Sequence, residues 1–170
     1  MVKEDRVPHA MMLCGPHGCG KMALALAMAS YLLCKDHTED DVCGVCRQCA
    51  MSAKFAHPDL HFSYPVIRPT GTGSEHKMTS DDFADEWRSL LSRGAYFTID
   101  QWLAEMNAAN QQALMGVGES DLLIRKLSLK SSQGGYKVVV IWLPERMNAE
   151  CANKMLKLLE VLFWDGQPFR

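Results

Sequence analysis

Residues 10–33 read AMMLCGPHGCGKMALALAMASYLL, and this stretch decides the class of fold. A short apolar run ends at a glycine-rich loop, and a segment rich in Ala, Leu and Met without Gly or Pro follows the loop. The apolar run at 10–14 predicts a buried strand, and the segment at 21–34 predicts a helix. A strand, a glycine-rich loop and a helix in this order are typical of a phosphate-binding loop.

The loop itself fits the spacing G-x-x-x-x-G-K. Its glycines would let the backbone curl so that successive N–H groups face phosphate oxygens, and Lys21 would reach the β- and γ-phosphates. The next position should carry a hydroxyl for Mg²⁺, but it is occupied by Met22. The predicted nucleotide-contacting residues are Gly15, Pro16, His17, Gly18, Cys19, Gly20, Lys21 and Met22. We therefore predict a phosphate cradle without a complete Mg²⁺ site, so ATP binding stays open and hydrolysis is not expected.

A second element of P-loop ATPases is an acidic residue at the end of an apolar strand. Residues 137–141 (KVVVI) predict that strand, which is uniformly apolar as in the centre of a parallel sheet. The position expected for a Mg²⁺-binding Asp carries Trp142, and the acidic Glu145 comes three residues later, where a solvated side chain is the simpler interpretation. Both positions that normally supply Mg²⁺ ligands therefore lack one, which favours a domain that keeps the P-loop fold but does not hydrolyse ATP.

The other predicted elements alternate between strands and helices. A strand is expected at 59–64, helices are expected from Thr79 or Ser80, at 100–115 and at 119–130, and Asn148 should cap a last helix to about 162. The inward side chains of these helices are predicted to be Phe83, Trp87, Leu90, Leu91, Trp102, Leu103, Met106, Ile124 and Leu127. The chain is therefore expected to be α/β, a parallel sheet flanked by helices over 1–162, with a loop at 65–80 and a tail at 163–170.

Composition excludes several classes of protein. The 170 residues are 48% hydrophobic and 22% charged, which is typical of one ordinary globular domain. The sequence contains no run of 18 apolar residues, so no membrane span is predicted. The charged first residues do not have the pattern of a signal peptide, so we expect a cytoplasmic protein. The formal net charge of −2 argues against a free-standing DNA-binding protein.

Four of the seven cysteines fall in one short window, as Cys34, Cys43, Cys46 and Cys49. Disulfides are rare in a reducing compartment, and Cys-x-x-Cys spacing places two thiolates on one metal ion through a tight turn. We predict a structural zinc site made by these four residues. An iron–sulfur cluster, a metal-free module, and His37 or His57 as substitute ligands stay open as alternatives, although both histidines are expected at the surface.

The remaining cysteines and several methionines are given simpler interpretations. Cys14 and Cys151 are predicted to pack in the core, as are Met11, Met12, Met22, Met28 and Met155. Cys19 lies at the start of the predicted helix, where a thiol could be reactive.

Several of these segments together resemble a known family. They are residues 6–10 (RVPHA) before the loop, the loop, the cysteine module after the first helix, 57–59 (HPD), and 137–160 with the apolar strand and ERMNAECANKMLKLLE. They resemble the delta-prime and gamma/tau subunits of the bacterial DNA polymerase III clamp loader, over about residues 6–160, and HPD is more typical of delta-prime.

The resemblance implies an AAA+ P-loop NTPase fold with a four-cysteine zinc insertion at 34–49. It implies a component of the pentameric ATPase that loads the sliding clamp onto primed DNA, with gamma/tau and delta subunits as partners. Delta-prime subunits commonly lack a competent phosphate loop and act as a stator, and Met22 and Trp142 fit that role. The zinc ligands carry over to the four clustered cysteines, and the phosphate-loop positions carry over to Gly15, Gly20 and Lys21.

The sequence departs from the family pattern in two places. The segment at 66–118 is longer than the family pattern predicts between these motifs, and the sequence assigns it no function. After Glu160 the family continues with a sensor strand, an arginine finger, a lid and a collar, which residues 161–170 do not match, so the C-terminal part of the fold is expected to be missing. An ATP-hydrolysing gamma/tau-type subunit and a zinc-containing fragment without independent function stay open as alternatives.

Overall fold

The structure is a computed structural model that describes residues 7–67, 78–133 and 135–164, with side chains as far as Glu160. Predictions that fall on 68–77 or 165–170, which include most of the expected loop and tail, lie outside the described residues. No helix among the described residues has the length and apolar character that crossing a membrane requires.

Six helices of the described chain build the body of the fold. They are α1 (Lys21–Leu33), α2 (Arg47–Ser52), α3 (Ala84–Arg93), α4 (Ile99–Glu105), α5 (Val117–Ser128) and α6 (Ala149–Trp164). Two short 3₁₀ helices, Ser80–Phe83 and Pro144–Arg146, precede α3 and α6. The predicted helix start at Thr79 is confirmed, because Thr79 and Asp82 form a capping box at the first 3₁₀ helix. Asn148 also caps α6 as predicted, since its Oδ1 accepts a 2.8 Å hydrogen bond from the Cys151 N–H.

The predicted helix at 100–115 is shorter than expected. α4 ends at Glu105, and Asn107 takes a left-handed φ of 55°. The Asn107 N–H bonds to Ala104 O, and the Ala108 N–H bonds to Leu103 O. This is the hydrogen-bond pattern of a Schellman motif with Asn in place of the usual Gly, so local backbone chemistry stops a segment whose composition favours helix.

The sheet consists, in the described part of the chain, of two parallel strands. They are β1 (Leu60–Ser63) and β2 (Val138–Ile141), and they pair with Leu60 opposite Val138 and Ser63 opposite Ile141. The strands predicted at 59–64 and 137–141 and their parallel direction are confirmed, with slightly shorter bounds. The connection between two parallel strands must cross over, and α3, α4 and α5 lie in that connection.

The strand predicted at residues 10–14 is not formed. This segment has no regular structure and lies exposed, with Met12 79% and Met11 43% accessible. An apolar run becomes a strand only where a neighbouring strand pairs with its backbone, and neither β1 nor β2 does so. The sequence shows the run but not its pairing partner.

The core centres on aromatic side chains between β1, α3 and α4. Trp87 stacks on Tyr64 with ring centroids 4.1 Å apart, and Trp102 meets both rings edge to face. Buried members of this cluster include Trp87, Leu90, Leu91, Trp102, Leu103 and Met106, all predicted as inward, whereas Phe83 is partly buried. In α5 Leu122 and Leu123 are buried, while the predicted Ile124 and Leu127 are partly buried.

Candidate metal centre and phosphate loop

The four clustered cysteines come together from three local structures. Cys34 caps the C-terminus of α1, Cys43 lies in the following loop, Cys46 is the N-cap of α2, and Cys49 lies in its first turn. Gly44 takes a left-handed φ of 72° between Cys43 and Cys46. A side chain at that position would strain the backbone, so the glycine permits the tight Cys-x-x-Cys turn.

The sulfur atoms of the cluster are spaced as the ligands of one ion would be. Sγ of Cys34 lies 3.6 Å from that of Cys43 and 3.9 Å from that of Cys46, and the Cys43 and Cys49 sulfurs are 3.8 Å apart. All four lie within 4.8 Å of one another, and none forms a disulfide. A tetrahedron with zinc–sulfur bonds of about 2.3 Å has edges of about 3.8 Å. The arrangement therefore fits a metal ion held by four thiolates.

Backbone N–H groups donate hydrogen bonds to two of the sulfurs. The Cys46 N–H donates to Cys43 Sγ at 3.3 Å, and the Cys49 N–H donates to Cys46 Sγ at 3.4 Å. The bond from Cys49 is the main reason that the pKa of Cys46 falls to about 6. Burial, by contrast, raises the pKa of Cys49 to about 12. A cation is what would let all four sulfurs be deprotonated together, since metal binding releases thiol protons.

The loop that carries the cluster is fixed to α1. The Tyr31 hydroxyl donates a 2.8 Å hydrogen bond to Thr38 O, and its ring lies 4.4 Å from the ring of His37. His37 is exposed as predicted. His57, also expected at the surface, is instead buried at 3% exposure, and that prediction is wrong because the turn before β1 packs inward.

The glycine-rich loop is exposed, and its lysine folds back on it. Lys21 Nζ donates 2.7 Å hydrogen bonds to the carbonyls of Gly15 and Pro16, and it lies 3.6 Å from Cys19 Sγ. Gly18 and Gly20 take left-handed φ values of 77° and 84°, which a residue with a side chain would adopt only with strain. Gly20 lies directly before the first turn of α1, and the phosphate-binding role of the loop stays a prediction.

The two departures from an ATPase site point into the core. Met22 is partly buried and packs against two of the three apolar clusters in the described part of the chain. Trp142 follows β2 directly and lies among aromatic rings, 5.0 Å from Phe97 and 5.4 Å from Trp87. Glu145 is exposed in the second 3₁₀ helix, as the simpler interpretation predicted.

The remaining cysteines and methionines divide between core and surface. Cys151 and Met155 are buried as predicted. Cys14, Met11 and Met12 are exposed, so their predicted core positions are wrong, and the reason is the missing strand pairing at residues 10–14. Cys19 is exposed beside Lys21, which agrees with an accessible thiol at the start of α1.

Two buried carboxylates were not identified from the sequence. Glu119 in α5 accepts hydrogen bonds from the Ser80 N–H and hydroxyl at 2.8 and 2.6 Å, and burial raises its pKa. Asp59 accepts bonds from residues 131–133. Its burial opposes ionisation, but these bonds prevail and lower its pKa. An acid in the first turn of a helix, or at a strand start, normally indicates solvent exposure, so no local signal marked either one.

The chain is similar to known proteins along most of its length. The family described as "DNA polymerase III, delta subunit" matches residues 1–161. DNA polymerase III subunit delta' of Pseudomonas aeruginosa is 30% identical over 152 residues, covering 89% of this chain and 33% of the relative.

Two further relatives point the same way. DNA polymerase III subunit delta' of Yersinia pestis is 27% identical over 89% of this chain and 32% of its own length. DNA polymerase III subunit gamma/tau of Mycobacterium tuberculosis is 40% identical over 55% of this chain and 14% of its own. The chain spans about a third of the length of the two delta' relatives. The extent of the family match, nearly the whole chain, shows that this chain belongs to the DNA polymerase III delta subunit family.

Proposed function

We propose that this chain is the nucleotide-binding-like region of a clamp-loader subunit of the delta-prime kind. Its fold would be that of an AAA+ P-loop domain with a zinc module inserted at 34–49. In this proposal the subunit helps to load the sliding clamp onto primed DNA as a rigid stator. Its partners would be gamma/tau and delta subunits, with the clamp and DNA engaged through the assembly, which would work in the cytoplasm.

The inward packing of Met22 is the observation that carries the non-hydrolysing role. A P-loop ATPase needs a hydroxyl at this position and a carboxylate after the second strand to hold Mg²⁺. Here Met22 contributes to the core, and the aromatic Trp142 stands in the second place. Neither side chain offers oxygen to a metal, so phosphate could be cradled by Gly15–Met22 without being cleaved.

Zinc is the ion that best fits the cysteine cluster. Four thiolates leave no open coordination position, which is the pattern of a structural rather than a catalytic site. The ion would link the C-terminal end of α1 to α2. Its ligands would be Cys34, Cys43, Cys46 and Cys49. It would thereby hold a loop whose residues 35–41 are exposed.

Steady-state ATP hydrolysis tests the stator role. The chain would be assayed alone and mixed with gamma/tau and delta subunits, and compared with Lys21→Ala and with Lys35→Ala as an exposed control. We expect no hydrolysis by the chain alone, stable co-elution with the other subunits, and no effect of either variant on the hydrolysis by the mixture.

One alternative is favoured by a specific observation. The loop keeps Lys21 and its left-handed glycines, and the gamma/tau relative shares 40% identity over 94 residues. Hydrolysis by the chain alone that Lys21→Ala abolishes, and Lys35→Ala does not, would replace the stator by an active ATPase. A folded chain that binds no other subunit would remove both roles.

A further inference from the structure

The segment between α3 and α4 lies beside the end of the glycine-rich loop. A β-carbon placed on Gly20 would lie 3.2 Å from the hydroxyl oxygen of Tyr96, so this hydroxyl approaches the backbone directly before α1. The rest of the Tyr96 side chain is open to solvent, and the residue is 67% exposed. Two segments that are far apart in the sequence therefore meet at the loop, and no sequence motif marks Tyr96 as part of it.

The position of Tyr96 is set by the residues that follow it. The ring of Phe97 packs into the aromatic core, 5.4 Å from the ring of Trp87 and 5.0 Å from that of Trp142. Thr98 then begins α4 with a capping box. The backbone after Tyr96 is thus anchored by packing and by a helix cap. Side chains attached to anchored elements are placed more precisely than those on free loops.

The Tyr96 hydroxyl is not used by the fold as other tyrosine hydroxyls are. Tyr31 donates to Thr38 O, and Tyr64 donates to Ser80 O. No such partner is present for the Tyr96 hydroxyl within the described residues. Its ring also lies outside the aromatic cluster that its neighbour joins. A phenolic O–H can both donate and accept, so this group is available to a ligand of the loop.

The groups around this end of the loop favour an anion over a metal ion. Lys21 carries the positive charge, and the first turn of α1 contains no acidic residue and no side-chain cap on its N–H groups. Such a helix start attracts phosphate through its N–H groups and its dipole. Met22 and Trp142 offer no oxygen for Mg²⁺. Phosphate held here would therefore depend on hydrogen-bond donors of the protein alone.

We propose that Tyr96 is a phosphate-contacting residue, whose hydroxyl donates a hydrogen bond to the terminal phosphate of a nucleotide bound to the loop without Mg²⁺. The inference rests on the phosphate cradle of the proposed function. Phe97 packs on Trp142, so the segment lies on the side of the loop where β2 ends, which in P-loop ATPases faces Mg²⁺ and the terminal phosphate. The ammonium of Lys21, now bonded to two carbonyls of the loop, would turn to the same phosphate.

ATP binding measured by titration calorimetry tests the proposal. The chain would be titrated with ATP at constant ionic strength, once without added Mg²⁺ and once with Mg²⁺ in excess. We expect saturable binding that Mg²⁺ does not strengthen. Lys21→Ala should abolish this binding, because the ammonium that pairs with phosphate is lost.

Tyr96→Phe is the decisive variant, because it removes one exposed oxygen and keeps the ring. We expect ATP binding weakened by about tenfold or more, the effect of losing one hydrogen bond to a charged group. Tyr136→Phe is the matched control, since it removes an exposed hydroxyl outside the glycine-rich loop, and it should bind ATP as the wild type does. Phosphorus NMR of bound ATP should show the change in Tyr96→Phe at the terminal phosphate.

Several results would overturn the proposal. They are no ATP binding by the folded wild-type chain, binding that requires Mg²⁺, and binding that Lys21→Ala or Tyr96→Phe leaves unchanged. Stronger binding in Tyr96→Ala would also overturn it, because the ring would then block the loop rather than contact the ligand. The stator role needs no bound nucleotide and is tested by co-elution with the other subunits, so its failure is a separate result.

Discussion

Replacing Cys46 by Ser should remove one ligand of the proposed zinc ion and leave the other three in place. Three of the six sulfur–sulfur separations, at 3.6, 3.9 and 3.8 Å, have a mean of about 3.8 Å, and all six lie within 4.8 Å. Dividing the edge of a tetrahedron by about 1.63 gives a distance of about 2.3 Å from its centre to each sulfur, which is the usual zinc–thiolate bond length.

The size of the effect can be estimated from structural zinc sites in general. Their apparent binding free energies at neutral pH are about 10–16 kcal/mol. Shared equally among four ligands, this gives about 3 kcal/mol per thiolate, or about a hundredfold loss of affinity in Cys46→Ser. The wild-type chain should show four sulfurs around zinc by X-ray absorption, and the variant should show three sulfurs and lose zinc first to a competing chelator.

Cys19→Ser is the matched control, because Cys19 is exposed and lies outside the cluster. It should keep one zinc per chain and an unchanged absorption spectrum. A folded wild-type chain purified without zinc, or with iron and inorganic sulfide, would refute the reasoning. So would a Cys46→Ser chain that competes with the chelator as well as the wild type.

Three further predictions concern stability, measured by denaturant unfolding. Glu119→Ala should cost about 3 kcal/mol by removing two buried hydrogen bonds to a carboxylate, whereas the neutral isostere Glu119→Gln should stay within about 1 kcal/mol at neutral pH. The raised pKa of Glu119 means that its protonated form stabilises the fold at low pH and that this contribution is lost as pH rises, so the wild type should lose stability relative to Glu119→Gln as pH rises. Asp59→Asn should destabilise the fold at neutral pH. Because the folded pKa of Asp59 is lowered, the difference in unfolding free energy from wild type should shrink as pH falls below about 4. A difference that stays constant with pH would contradict this. Asn148→Ala should cost about 1 kcal/mol by removing the cap of α6, and no change would show that the cap bond to Cys151 is not formed in solution.

The sequence alone determined the local parts of this protein. Helix α1, the strand at 138–141 and the cap at Asn148 follow from composition and from side chains a few residues away, so their patterns could be recognised directly. The cysteine cluster is local in the same sense, because Cys34–Cys49 is one short window and a tight turn at Gly44 brings two ligands together.

The tertiary structure decided what depends on distant partners. Whether residues 10–14 form a strand depends on a neighbouring strand that hydrogen-bonds to them, which no local pattern reveals. The burial of His57 and Glu119 likewise depends on packing of segments far apart, since Glu119 bonds to Ser80, 39 residues away. Helix caps, tight turns and closely spaced metal ligands depend on neighbouring residues, so the sequence shows them. Burial and strand pairing depend on surfaces that meet only after the chain has folded.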